Sequence, residues 1–152
     1  MSKVEFIKVK YRLAEQLQRP GGMTVQLATE RAARELKAAE GDARADLHKV
    51  VTRLEVMCQM RKATLDEVYD VSSSVIDVAG LFDDKPLCEA AYSLCELCDR
   101  LRTQGREDWG SIVVHVDALR MILGKGHQAV GVESVIEGLW VLTDRYRDPP
   151  TG

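Results

Sequence analysis

The four cysteines are the residues whose type and spacing first suggest chemistry. Cys95 and Cys98 form a CxxC pair that a helix places on one side, and Cys88 lies two turns before Cys95 on that side. A zinc site takes about four ligands, so Cys58 and a histidine would have to complete it. A redox CxxC usually lies at a helix N-terminus, whereas this pair lies in the middle of a predicted helix. We therefore predict that the cysteines pack in a hydrophobic core. A metal site or a thiol-redox centre built from Cys88, Cys95 and Cys98 is the alternative.

His115 is the second residue that could carry chemistry, because it lies in the middle of a predicted helix beside its apolar stripe. Histidine phosphotransfer domains are helical bundles with such an imidazole exposed and a Lys or Arg three residues later. Here Ala118 stands at that position, Arg120 is displaced by two residues, and Asp117 adds charge that opposes a phosphoryl group. The sequence favours a histidine at the edge of a bundle with its hydrogen bond satisfied. Phosphotransfer through His115 is the alternative.

The remaining polar residues do not suggest a catalytic centre. His48 and His127 are isolated and predicted to lie at the surface, and Ser72-Ser73-Ser74 has no histidine at a spacing that suggests nucleophilic catalysis. The acidic residues at 66, 67, 70 and 77 fit the solvated side of an amphipathic helix. We therefore expect that the protein is not an enzyme and takes no cofactor.

Composition indicates a globular chain of one domain. The chain has 152 residues, of which 45% are hydrophobic and 30% charged, and its net charge of -3 favours neither a nucleic-acid nor a membrane partner. No apolar run reaches the roughly 20 residues that span a bilayer, and the N-terminus lacks the continuous apolar stretch of a signal peptide. We therefore expect a cytoplasmic location with reduced thiols and no membrane insertion.

Residues 1–22 are predicted to form a basic N-terminal arm. They carry five Lys and Arg residues against two Glu, a local charge of +3, and they end at the helix-breaking Pro20-Gly21-Gly22. Such an arm suits docking on a partner or on the acidic surface of the same protein. We predict a helical bundle domain over residues 23–148 and a short tail over 149–152.

Apolar residues recur at three- and four-residue spacing through most of the chain, which predicts amphipathic helices. Gly41 is predicted to end a first helix that begins after Thr24, and Asp42 to cap a second one. Thr64 with Glu67 predicts a capping box. Further helix starts are predicted at Asp84 and Asp108, and a last helix near Val132. The short loops favour an all-α bundle of about five to six helices with an antiparallel, up-down core.

Three stretches together resemble the small CheE-type proteins encoded in chemotaxis gene clusters of alphaproteobacteria. They are Arg19-Pro-Gly-Gly-Met-Thr-Val25, Glu89-Ala-Ala-Tyr-Ser-Leu-Cys95, and Trp109 followed by Val114-His-Val-Asp-Ala-Leu-Arg120. The resemblance covers much of the chain. It implies a cytoplasmic accessory component of chemotaxis or two-component signalling that acts by binding, and it assigns no catalytic residues.

The leading hypothesis is a non-enzymatic helical adaptor whose surface binds a signalling protein, such as a receiver domain or a kinase. The alternatives are a phosphotransfer protein that uses His115 and a helical metal-binding or redox protein. A bundle can also complete its core by forming a homodimer, for which Trp109, Trp140 and Tyr146 are candidate interface residues. If no dimer forms through them, both tryptophans belong to the core of the monomer.

Overall fold

The computed structural model describes residues 24–126 and 130–147, which form five helices and no strand. This confirms an all-α bundle of about five helices. The predicted basic arm, His127 and the predicted tail lie outside the described residues. The chain divides into two units, residues 1–39 and residues 40–152. The helices are α1 (Val25–Met60), α2 (Leu65–Gly80), α3 (Lys85–Thr103), α4 (Trp109–Lys125) and α5 (Val132–Asp144).

The first helix corrects the sequence prediction. Gly41 does not end a helix and Asp42 does not cap one, because α1 continues through both residues for 36 residues. A glycine inside a helix costs about 1 kcal/mol relative to alanine but keeps its backbone hydrogen bonds. Its neighbours include the strong helix formers Ala38, Ala39 and Ala43. The helix propensity of these neighbours therefore outweighs the small local cost of Gly41.

Three predicted helix starts are confirmed by their hydrogen bonds. Thr64 and Glu67 form the complete capping box at the start of α2. Asp84 accepts from the backbone N–H of Leu87 at the start of α3, at 3.3 Å. Asp108 accepts from the backbone N–H of Ser111 at the start of α4, at 3.2 Å.

The hydrogen bonds between α2 and α3 show that these neighbours run antiparallel. Asp66 in the first turn of α2 forms a salt bridge with Arg102 in the last turn of α3. Near the opposite ends of the two helices, Cys88 Sγ donates to the carbonyl oxygen of Ile76 at 3.9 Å. Helices α2 and α3 pack against each other.

The fourth helix runs antiparallel to α5 and to the second half of α1. His115 meets Thr143, while Ser111, one turn earlier in α4, meets Tyr146 just after α5. On the other side, Arg44 of α1 donates to the carbonyl oxygen of Leu123, and Glu55, later in α1, forms a salt bridge with Arg120, which is earlier in α4. The predicted up-down core is therefore present.

The hydrophobic core lies among all five helices. The second half of α1 contributes Leu47, Val51, Leu54 and Cys58, and α3 contributes the largest buried set. None of the helices that the structure describes is both long and apolar enough to cross a bilayer. Side chains that are fully buried include Val68, Val75, Leu87, Leu94, Leu97, Leu101, Ile112 and Leu119.

Candidate functional site

The imidazole of His115 is completely buried between α3, α4 and α5. Its Nδ1 lies 2.8 Å from the carbonyl oxygen of Ser111, one turn earlier in α4. A carbonyl oxygen can only accept, so Nδ1 carries the proton and Nε2 of the neutral ring is the acceptor. Nε2 lies 3.0 Å from Ser93 Oγ and 3.1 Å from Thr143 Oγ1. The prediction that this ring lies at the edge of the bundle is wrong, because it lies in the core.

Two hydroxyl groups complete a buried polar network made of Ser93, Ser111, His115 and Thr143. Ser93 Oγ and Thr143 Oγ1 lie 3.0 Å apart, and Thr143 Oγ1 also lies 3.4 Å from the carbonyl oxygen of Ser93. A hydroxyl both donates and accepts, so the two hydroxyls satisfy Nε2 and each other. Among the described residues, no buried side-chain nitrogen or oxygen lacks a hydrogen-bond partner.

The network continues to the protein surface at both ends. Ser111 Oγ donates to Asp108 Oδ2 at 2.8 Å, and the hydroxyl of Tyr146 donates to the same carboxylate. At the other end, Arg100 donates to the carbonyl oxygen of Thr143 at 2.9 Å. These bonds join α3, α4 and α5 along one line of polar contacts.

The network has the residue types of a nucleophile and a base but no access for a substrate. Ser93 lies within hydrogen-bonding distance of His115, as a serine nucleophile does, yet the side chains of Ser93, His115 and Thr143 are all 0% exposed. A phosphoryl donor must bring its phosphorus to an exposed imidazole nitrogen. The observed packing would have to open before His115 could accept a phosphoryl group.

Burial lowers the pKa of His115 below its ordinary value, because the imidazolium form loses its hydration. Below the ordinary pKa of about 6.5, the unfolded chain binds a proton that the folded chain does not. We therefore expect the free energy of unfolding to fall as the pH drops from about 6.5 towards the lowered pKa. Urea unfolding between pH 8 and about 5 measures this, in a range above the ordinary carboxyl pKa values.

The matched variant for the pH series is His115→Asn, which keeps polar atoms at this position and cannot titrate. We expect its free energy of unfolding to be flatter over the same pH range. An acid-side decrease that is the same in the variant and the parent protein would show that His115 does not cause it.

The CxxC cysteines lie in the core between α2 and α3. Cys95 and Cys98 are buried, and Cys95 Sγ donates to the carbonyl oxygen of Tyr69 at 3.8 Å. Burial is the main cause that raises the pKa of Cys95 to about 11 and that of Cys98 to about 12. Within the described part of the chain, no group of three or more His, Cys, Asp or Glu residues is arranged to hold a metal ion.

Thiol labelling of the native protein tests this packing. At pH 8 the thiolate fraction of Cys98 is expected to be about a thousandfold below that of an ordinary thiol, because its pKa is about 12 instead of 9.0. Cys88 is only half-buried, so we expect it to react first with a disulfide reagent. Mass spectrometry of the labelled peptides identifies the order in which the cysteines react. Rapid reaction of Cys95 and Cys98, or stoichiometric zinc, would contradict the prediction.

A cleft of about 440 Å³ lies between α1 and α4, and Cys58 is one of the residues that line it. Burial and the nearby carboxylates of Asp117 and Glu55 raise the pKa of this thiol. A nucleophilic cysteine needs the opposite environment. The cleft therefore does not activate the one thiol that lines it.

An aromatic groove lies between α2 and α3, with a volume of about 100 Å³. Tyr69 and Ile76 line it from α2 and Tyr92 from α3. Tyr92 is 58% exposed, and its ring centroid lies 6.5 Å from that of Trp140 on α5. Sequence reasoning missed this site, although two tyrosines placed off the apolar stripes were a signal that could have found it.

The three aromatic residues predicted as dimer contacts have different environments. Trp109 and Trp140 are partly buried against the core. Tyr146 is 9% exposed, and its hydroxyl donates a hydrogen bond to the carboxylate of Asp108 in the same chain. Tyr146 therefore packs in the monomer, and homodimerisation stays a prediction.

The first half of α1 is exposed on all sides. Every residue from 24 to 42 is exposed, including Val25, Leu27 and Leu36 at 80%, 54% and 65%. A helix gains most of its stability from packing an apolar face. Among the residues that the structure describes, none packs against the apolar side chains of this half closely enough to bury them.

Comparisons with protein-family models, curated proteins and solved structures gave no match for this chain. The resemblance to CheE-type proteins therefore stays a prediction.

Proposed function

We propose that this protein is a non-enzymatic helical adaptor that binds other proteins in bacterial chemotaxis or two-component signalling. Its partner is a signalling protein, such as a receiver domain or a kinase, and the place of action is the cytoplasm. The single observation that carries this proposal is the exposed first half of α1. The three sequence stretches that resemble CheE-type proteins favour the signalling context.

The exposed half of α1 has the spacing of a helix that binds another helix or a groove. Val25, Ala32, Leu36 and Ala39 recur at seven-, four- and three-residue intervals and therefore lie along one side. Alanines along the stripe allow close approach of a partner backbone. The protein partner then supplies the apolar packing that this half of α1 does not find within the described part of the chain.

Binding to purified receiver domains and kinases tests the proposal. We expect at least one of them to bind, and we expect Leu36→Lys to weaken that binding by about tenfold or more, since the charge enters an apolar contact. Leu27→Lys is the matched control. Leu27 is similarly exposed but lies nine residues away, two and a half turns, on the opposite side of the helix. If no receiver domain or kinase binds, or if both variants bind like the parent protein, the proposal fails.

A further inference from the structure

Charge is unevenly distributed over the five described helices. Helices α2, α3 and α5 carry ten carboxylates against three Lys or Arg residues, a net charge of -7. Helix α1 is neutral, with six residues of each sign, and α4 carries +1. Because α3 contacts both α2 and α5, the acidic helices are neighbours. We name their outer surface the acidic face; its residues include Asp70, Asp77, Glu89, Glu96, Asp99 and Glu137.

Aromatic rings lie within this acidic face. The groove between α2 and α3 exposes Tyr92 and is also lined by Tyr69 and Ile76, and Trp140 extends the aromatic surface onto α5. Exposed aromatic rings give a large contact area at a low cost in conformational entropy, and their faces attract Lys and Arg cations. A protein surface with this combination suits a ligand that is both apolar and positively charged.

The carboxylates of the face differ in how they are already paired. Glu96 forms a salt bridge with Arg100, and Asp99 forms one with Arg102. Asp70, Asp77 and Glu89 have no salt bridge to any described residue; all three are exposed. These three are among the carboxylates of the face that remain available to a cationic partner.

We propose that the acidic face binds a basic amphipathic segment of a partner protein. The apolar side of that segment covers Tyr69, Ile76 and Tyr92, while its Lys and Arg residues approach Asp70, Asp77 and Glu89. This inference rests on the proposed adaptor function and names the chemistry of a partner for a second set of residues, none of which belongs to the stripe on α1. Exposed ion pairs contribute little affinity each, so the aromatic contacts stabilise the complex and the charges steer it.

Fluorescence anisotropy with the full chain tests the inference. The probe is a fluorescein-labelled amphipathic peptide of Lys and Leu, and its control is the same peptide with Glu in place of Lys. We expect the Lys peptide to bind, with an affinity that falls as salt is added, and the Glu peptide not to bind. We expect Tyr92→Ala to weaken binding by about tenfold.

A pair of charge-matched double variants separates the acidic face from net charge. Asp70→Lys with Asp77→Lys changes the face, and Glu30→Lys with Glu35→Lys makes the same charge change on the exposed half of α1. We expect the first pair to weaken binding by more than about tenfold and the second by less than about threefold. Circular dichroism confirms that each variant is folded. Equal effects of the two pairs overturn the inference.

The cations of residues 1–22 allow one further check, because this segment is itself basic. Gln in place of its five Lys and Arg residues leaves the acidic face unchanged. If that variant binds the Lys peptide about tenfold more tightly than the parent, the chain's own segment occupies the face, and binding of an external partner is overturned.

The two proposals fail in distinguishable ways. If the Lys peptide binds as described but no receiver domain or kinase does, the adaptor function fails and the acidic face remains a binding surface. If a receiver domain or kinase binds in a Leu36-dependent way but the charge-matched pairs behave alike, the acidic face fails and the adaptor function remains.

Discussion

Replacing His115 with Ala is expected to lower the free energy of unfolding by about 4 kcal/mol, the largest effect of any substitution proposed for this protein. Two causes add. The lost ring leaves a cavity in the core, because the surrounding helices close it only partly. The hydroxyls of Ser93 and Thr143 and the carbonyl oxygen of Ser111 also lose a buried partner.

Urea and thermal unfolding followed by circular dichroism measure this loss. For a chain of this size we expect the melting temperature to fall by roughly 10 °C. Val114→Ala is the matched control. Val114 is the neighbouring residue on α4 and is 49% exposed, so its truncation should change the free energy of unfolding by less than about 0.5 kcal/mol.

A multiple variant separates the two causes. His115→Leu with Ser93→Ala and Thr143→Val replaces the hydrogen-bonded groups by apolar ones. We expect it to be more stable than His115→Ala, because no hydroxyl is left unpaired and part of the cavity is filled. A loss below about 1 kcal/mol in His115→Ala would contradict the buried position of the ring. Acid-labile phosphate on His115 of the native protein would also contradict the buried position of the ring.

Replacing Asp108 with Ala is expected to cost about 3 kcal/mol, more than the loss of a helix cap alone. Asp108 caps α4 through the backbone N–H of Ser111, which is worth about 1 kcal/mol. Its carboxylate also accepts from the hydroxyls of Ser111 and Tyr146, and hydrogen bonds to a charged group are stronger than neutral ones. The hydrogen bond from Tyr146 is the main cause that lowers the pKa of Asp108.

Asp84→Ala is the matched control, because Asp84 caps α3 through the backbone N–H of Leu87. We expect it to cost only about 1 kcal/mol in urea unfolding. A lowered pKa means that the contribution of Asp108 is present above the ordinary carboxyl pKa and is lost as the pH falls through the lowered one. The difference between the two variants should therefore shrink in strong acid.

Equal costs for Asp108→Ala and Asp84→Ala at neutral pH would show that the carboxylate of Asp108 acts only as a cap. Tyr146→Phe provides an independent measure, since it removes one hydroxyl and keeps the ring. In a double-mutant cycle, we expect Asp108→Ala and Tyr146→Phe to be non-additive by at least about 1 kcal/mol.

Helix starts were predictable from the sequence because capping is a local interaction. Thr64 bonds to a residue three positions away, and so do Asp84 and Asp108. A pattern of three residues therefore contains both the donor and the acceptor. The apolar spacing likewise predicted the helices, since the face that each buries depends on its own sequence.

Gly41 shows where local reasoning failed. A glycine in a helix interior costs about 1 kcal/mol relative to alanine, and neighbouring residues and packing can outweigh that cost. The pattern could not show whether the apolar stripe of the second half of α1 would begin a new helix or continue an existing one. In the structure, the helix continues through Gly41 into the second half of α1.

The two sites could not be predicted for a related reason. His115 lies within hydrogen-bonding distance of the hydroxyls of Ser93 and Thr143. The apolar spacing that predicts helices does not include such polar residues. The acidic face joins side chains of α2, α3 and α5, which are separated in the sequence. The pairing of helices decides which of these side chains become neighbours.

By itself, the sequence determined that this chain is an all-α bundle with helices capped by Thr64, Asp84 and Asp108, because those signals act within a few residues. Only the tertiary structure decided the role of the chemically suggestive residues. It buried His115, Cys95 and Cys98, since the helix pairing surrounds them with neighbours from other helices. It left the first half of α1 exposed, which carries the proposed function, and it left Tyr92 exposed within the acidic face.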